Sequence, residues 1–349
     1  MLPAKLLALA AAVLASETIR LQNWNLRYDS KKDGISVDNT IKGLTWSIPN
    51  DAQVNYYSNS GEESWSKRRI GIANDVIFNK ADIFNVNEGL KNQVDDLQYL
   101  LTQISGDEWK YVGKGRDDGK EKGEYEAIFY NTNKFKVNDY DTIWLSNSPF
   151  QPSQYPGAGS YRTATVAHME STQGNKFTLI NTHLDDKSDD QRKLGASMLK
   201  YIGAYEYVNS DGPVFLTGDF NSESEGDTSG AYKIATGGQK PVDVDSSFYN
   251  KYKTDISQSF TFGDLFSQTD PLHRSGHFAT MDSFKPWGDK SALGGRIDFQ
   301  FAGTPNSNAK NVPNKFHKAR SHRVAETWYD NEFHLSDHRP VISDIQIAQ

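Results

Sequence analysis

The chain contains no cysteine. That absence excludes a disulfide framework, zinc–thiolate centres and a cysteine nucleophile, so any metal must be held by oxygen and imidazole. Positive charge is short as well: 38 Lys and Arg stand against 45 Asp and Glu, a formal net charge of −7. A chain with this balance is not built as a general DNA-coating protein, which would carry a basic surface. Beyond the N-terminus no apolar run is long enough to cross a bilayer as a helix. No Pro/Ser/Gly linker separates two compositionally different halves, and no internal repeat is visible. The length of 349 residues alone suggests about two domains. Without a linker, one domain is the better expectation.

Aromatic residues are plentiful: 18 Phe, 17 Tyr and 7 Trp exclude a disordered chain and supply a packed core. In the first sixteen residues Lys5 is the only charged side chain, and Leu6 to Leu14 is an unbroken apolar run. Small residues follow where a signal peptidase reads. Residues 1–16 are therefore expected to be a secretory signal, and residues 17–349 one secreted domain. The lack of disulfides is mildly discordant with secretion.

Short β-type runs alternate with a few helical stretches. Strands are expected over Ile19–Leu26, Asp82–Asn87, Tyr125–Tyr130, Thr163–Ala167, Phe177–Asn181, Pro213–Thr217, Arg296–Ala302 and Pro340–Ile347. Leu90, Val94, Leu97, Leu101 and Ile104 fall at helical spacing, as do Leu194, Met198 and Ile202. Many strands with few helices predict sheets packed face to face with helices outside.

Polar residues gather at the ends of these strands. Asn25 ends the first, and Glu88 follows the second. Asn181-Thr182-His183-Leu184-Asp185 closes another, and Thr217-Gly218-Asp219-Phe220-Asn221 follows an apolar run. Asp298 lies between Ile297 and Phe299, and Ser336-Asp337-His338-Arg339-Pro340 enters the last strand. Taken singly, an Asn or Glu at a strand end is a turn or cap residue, and a Gly-Asp-x-Asn run is a tight turn. Asp298 is harder to dismiss, because a carboxylate between core residues needs a partner such as a histidine. Six deposits at strand ends can converge on one cleft. Carboxylates, amides and histidines without cysteine suit Mg²⁺ or Mn²⁺, and point to metal-assisted phosphoester hydrolysis.

In type, order and spacing these residues resemble the endonuclease/exonuclease/phosphatase superfamily, and the resemblance runs from about residue 19 to residue 347. Gly115-Arg116-Asp117-Asp118-Gly119, followed by Gly123-Glu124-Tyr125, resembles its smaller secreted and bacterial members. The resemblance implies a DNase I-like four-layer α/β sandwich, two mixed β-sheets face to face with helices outside. It implies that Asn25 and Glu88 hold the principal divalent metal with Asp337 near it. Asp219 would orient or deprotonate the attacking water, and Asn221 would position the scissile phosphate. His338, oriented by Asp298, and His183, supported by Glu124, would contact the phosphate as two imidazolium groups. Arg162 resembles a family arginine near the phosphate. Asn87 stands where the family commonly has Gln, and Phe299 where Tyr or Trp is frequent.

The substrate is a phosphoester, either a small molecule or nucleic acid. A monomer without stable membrane insertion is expected. Lys310, Lys315, His317, Lys318, Arg320, His322 and Arg323 form a basic cluster that reads as a solvated loop and secondarily as a polyanion grip. Trp65-Ser66-Lys67-Arg68-Arg69 reads as a stacking surface or a helix surface. Three readings remain open: a small-molecule phosphodiesterase or phosphatase, a nuclease, and a catalytically silent binding protein on the same scaffold.

Overall fold

Apolar runs rich in β-branched and aromatic residues become strands buried on both faces. Val214-Phe215-Leu216-Thr217-Gly218-Asp219, for example, is buried at every position. In the computed structural model, which describes residues 16–44, 61–285, 294–305, 315–327 and 333–347, such runs make two mixed sheets. The expected leader falls almost wholly outside the described residues, as does Lys310.

The strands are β1 (Glu17–Asn25), β2 (Ile83–Gly89), β3 (Trp109–Val112), β4 (Tyr125–Asn131), β5 (Phe135–Trp144), β6 (Thr163–Ser171) and β7 (Lys176–His183). They continue with β8 (Val214–Asp219), β9 (Phe260–Asp264), β10 (Arg274–Gly276), β11 (Asp298–Pro305), β12 (His317–Val324) and β13 (Val341–Ile347). One sheet runs β10-β12-β13-β1-β2-β4-β3, and the other runs β5-β6-β7-β8-β11-β9. The helices are α1 (Val37–Lys42), α2 (Trp65–Phe78), α3 (Lys91–Ser105), α4 (Asp189–Asn209), α5 (Gly230–Thr236), α6 (Ser246–Tyr252) and α7 (Leu265–Gln268).

Each sheet carries its own outer helical layer, so the expected four-layer sandwich is the architecture found. Val94, Leu97 and Leu101 turn one face of α3 onto Trp24, Phe84 and Phe129 of the first sheet, where α2 adds Ile72 and Val76. The long α4 starts at Ser188, whose hydroxyl accepts from Gln191 N at 3.1 Å, with Asp189 and Asp190 in its first turn. Its Leu194, Met198 and Ile202 pack in one cluster with Phe220, Phe262 and Phe301 on the second sheet. Full burial of each such side chain contributes roughly 1.5–3 kcal/mol. Between the sheets lie Leu21, Ile83, Ile128, Leu179, Phe215, Ala302 and Ile345.

Towards one end this inter-sheet seam changes from apolar to polar. Asn85 Nδ2 donates to Thr217 Oγ1 at 2.6 Å, Asn87 Nδ2 to Thr182 O at 2.9 Å, and Asn181 Nδ2 to Val86 O at 2.9 Å. Gln300 Nε2 donates to Leu21 O and Val341 O. A buried amide must find partners, and here the partners lie on the facing sheet, which fixes the two sheets against each other.

Candidate active site

Strand direction and register assemble the site. The parallel pair β1 and β2 end together, with Asn25 opposite Asn87 and Glu88 one residue on. The parallel pair β7 and β8 place His183 opposite Asp219, and antiparallel β11 starts with Asp298 opposite Asp219. The close approach of β7 and β8 depends on Gly218, at φ +143°, where a Cβ would lie 1.9 Å from Thr182 O. Glu88 and Asn221 adopt left-handed backbone at φ 61° and 45°. Such conformations are costly for these residue types and recur at functional sites.

Asp219 is the hub. Its Oδ2 accepts from Asn25 Nδ2 at 2.9 Å, and its Oδ1 accepts from Asn221 N at 2.8 Å. His183 Nε2 and His338 Nε2 approach its Oδ2 at 3.5 and 3.7 Å. Burial, and then the neighbouring Asp298 carboxylate, push the Asp219 carboxyl upward from the ordinary range. His338 Nδ1 lies 2.8 Å from Asp298 Oδ2. Burial acts to lower the His338 pKa, but the Asp298 and Asp219 carboxylates outweigh it and hold the ring charged. Asp298 is in turn fixed by Thr280, whose hydroxyl accepts from Asp298 N and Ile297 N, both at 3.0 Å.

The second histidine differs from expectation. Burial, reinforced by Arg162, Arg116 and His338, drives the His183 pKa well down and favours the neutral imidazole, opposite in direction to His338. Asn221 Nδ2 lies 3.0 Å from His183 Nε2 and 3.0 Å from Leu184 O. Glu124 does not hydrogen-bond His183: its Oε2 is 3.8 Å from Nδ1, and both its oxygens pair with Arg116 at 2.8 and 2.7 Å. Arg162 lies at the same wall, with Nε on Asp185 at 3.1 Å and Nη2 on Asp186 at 2.8 Å, and its Nη1 is buried. That Nη1 has no hydrogen-bond partner among the described residues.

At the other end burial, and with it the nearby Glu88 carboxylate, pushes the Asp337 carboxyl upward, and Arg27 is the cation beside both acids. Asn25 Nδ2 also donates to Glu88 Oε1 at 3.0 Å, and Tyr28 N donates to Glu88 Oε2 at 3.1 Å. Asn25 Oδ1 accepts from Arg27 N at 3.0 Å and keeps a second lone pair. Two carboxylates and an amide oxygen form the donor set that a hard divalent cation takes, so these residues fit Mg²⁺ or Mn²⁺. Asp219, Asp298 and His338 also converge, with His338 Nδ1 committed to Asp298 Oδ2.

Several supporting residues carry no sequence signal as site residues. Arg68 is fully buried and donates to Leu26 O and Leu335 O at 2.6 and 2.8 Å and to Arg27 O at 3.1 Å. It thereby holds the chain leaving Asn25 against the chain entering Asp337. Arg68 and Arg69 are consequently not a stacking surface, because both face inward from α2. Ser336 Oγ donates to Asn25 O at 2.6 Å, and Trp24 Nε1 to His338 O at 2.8 Å. Asn87, which stands where Gln is common in the family it resembles, donates through Nδ2 to Glu126 Oε2 at 2.6 Å and across the seam to Thr182 O at 2.9 Å. The basic cluster is not a loop: 317–324 form β12, Lys315 and His322 are buried, and Ser321 pairs with Asp344.

No protein-family model matches the chain, and no curated protein matches its sequence. Solved structures do match. An endonuclease/exonuclease/phosphatase family protein from Bacteroides thetaiotaomicron is 23% identical, covers 96% of this chain and 100% of its own, and superposes at a TM-score of 0.67. This is the endonuclease/exonuclease/phosphatase fold. A mannosyl-6-phosphatase from the same species shares that fold at 24% identity, with 94% and 99% coverage and a TM-score of 0.66. The human Nocturnin catalytic domain, bearing a sulfate anion, does so at 15% identity, 95% and 94% coverage and a TM-score of 0.57.

Proposed function

We propose that the chain is a divalent-metal-dependent phosphoester hydrolase, secreted after removal of residues 1–16. The observation that carries this reading is the convergence on Asp219 of Asn25, Asn221, His183 and His338, each from a different strand end or loop. A buried carboxylate between two imidazoles, beside a second pair of acids, suits water activation next to an anion. Asn25, Glu88 and Asp337 would hold Mg²⁺ or Mn²⁺, which supplies charge neutralisation on a phosphoryl oxygen when bound.

The rest belongs to the chain's own groups. Asp219 accepts the proton of the attacking water and orients it. His338, kept charged by Asp298, donates to a phosphoryl oxygen as that oxygen gains charge. Neutral His183 and Asn221 form the opposite wall. Arg162 and Arg116 add positive potential from behind it.

Small phosphoesters are the favoured substrates over nucleic acid, because Lys315 and His322 of the expected polyanion grip are buried. The fold-mate that is a mannosyl-6-phosphatase is consistent with a phosphomonoester. The test is a panel of sugar phosphates, nitrophenyl mono- and diesters, plasmid DNA and RNA, with Mg²⁺, Mn²⁺ or EDTA. Metal-dependent release from the small esters supports the reading. Hydrolysis of nucleic acid alone favours a nuclease, and no turnover anywhere favours a silent binding protein.

A further inference from the structure

Arg116 takes no direct part in the chemistry above, yet its guanidinium lies buried beside it. Its loop, between β3 and β4, is closed by Arg116 N donating to Glu124 O at 3.0 Å. Asp118 Oδ1 caps the turn by accepting from the backbone N–H of Lys120, Glu121 and Lys122. Trp144 Nε1 donates to Arg116 O at 2.7 Å. The loop thus fixes the Arg116 backbone, and both Glu124 oxygens meet the guanidinium at 2.7–2.8 Å. Glu124 Oε2 is left 3.8 Å from His183 Nδ1, too far for a hydrogen bond.

The other edge of the ring reports its protonation. Leu184 O can only accept, so the Asn221 side-chain atom 3.0 Å from it is the amide nitrogen. That nitrogen is also 3.0 Å from His183 Nε2, which must therefore be the acceptor of its second hydrogen. His183 is then the Nδ1–H tautomer, with its proton facing Glu124 across the gap. The charged groups around the ring are Arg116, Arg162 and His338 on one side of the balance, and Glu124 and Asp219 on the other.

We propose that Arg116 is a positioning residue of this site: by holding both oxygens of Glu124 it keeps that carboxylate off His183. His183 thereby stays a neutral imidazole whose Nε2 pins the Asn221 amide. Without the guanidinium, Glu124 is free to close the 3.8 Å gap and hydrogen-bond Nδ1–H. A carboxylate bonded there favours protonation of Nε2. A protonated Nε2 repels the Asn221 N–H and releases that side chain.

The inference deepens the phosphoester reading and rests on it only for its effect on turnover. The direct test needs no substrate: long-range ¹H–¹⁵N correlation spectra of the histidine rings at pH 7. Wild-type His183 is expected to carry one proton, on Nδ1, and His338 two. In Arg116→Met, His183 is expected to gain the second proton, and adding Glu124→Gln should return it to the neutral form. Should Arg116→Met not fold, Arg116→Lys frees one carboxylate oxygen and is expected to shift His183 in the same sense by less. A His183 ring unchanged in the folded single variants overturns the proposal, as does an Nε2–H tautomer in the wild type. In turnover, Arg116→Met should lower kcat about 10-fold with KM changed less than about 3-fold, and Glu124→Gln added to it should restore kcat. A loss that the second substitution leaves in place reduces Arg116 to a structural role. Lack of turnover in the wild type sinks the function proposed above and leaves the ring measurement standing.

Discussion

At the scale of the residue, the candidate site converges on Asp219, which both imidazoles and two amide groups address. Replacing Asp219 or His183 with Ala should lower turnover of a small phosphoester at least about 10²-fold, because each removes a preorganised group. Circular dichroism should show the fold intact; turnover within a few-fold of wild type in both variants would remove them from the chemistry. The chemistry-bearing residues were legible because a polar side chain ending a buried strand demands a partner, and Asp298 with His338 is the clearest case. The charge on His183 was not legible. Its pKa is lowered first by burial and then by Arg162 and Arg116, which lie on other segments and come near only through the fold. Arg68 was misread for a related reason: in sequence it belongs to a basic run on a helix, but the carbonyls it serves lie far along the chain.

At the scale of the element, the approach of β7 to β8 explains one glycine. Gly218→Ala places a methyl group on Thr182 O and forces a strained φ, so it should cost roughly 3 kcal/mol or more and show as a lower urea midpoint. An unchanged midpoint would mean that the two strands part easily, contrary to the role given to the glycine. A second tie joins β6 to α4: His168 Nε2 lies 2.7 Å from Glu206 Oε2, and that bond, against partial burial, raises the histidine pKa. A raised folded value means that the stabilisation is full below the ordinary histidine range near 6.5 and is lost as pH rises through the elevated value. The stability difference between wild type and His168→Gln should therefore be larger at pH 6 than at pH 9; a difference independent of pH would contradict the linkage. Strands such as β2 and β8 were legible from continuous apolar runs. β5 and β12 were not, because β5 exposes a polar stretch and β12 carries Lys318, Arg320 and Arg323 outward while burying alternate residues. Their identity as strands depends on pairing with β6 and β13.

At the scale of the whole molecule, two sheets stitched by amides present all their chemistry at one end of a shared seam. On the function proposed, cation binding is a property of the assembled sandwich, since Asn25, Glu88 and Asp337 come from three separate stretches of chain. Mg²⁺ at about 100 times its dissociation constant should add roughly 2.7 kcal/mol to stability and raise Tm by a few degrees. Glu88→Gln or Asp337→Asn should abolish that rise, and a rise retained in both would place the cation elsewhere. The most direct test of the whole account is the rate of phosphate release from a small phosphomonoester by wild type and by Asp219→Ala, each with Mg²⁺ and with EDTA. The account predicts full turnover only in wild type with Mg²⁺, with Asp219→Ala at least about 10²-fold slower; release that persists in EDTA, or that Asp219→Ala leaves within a few-fold of wild type, contradicts it.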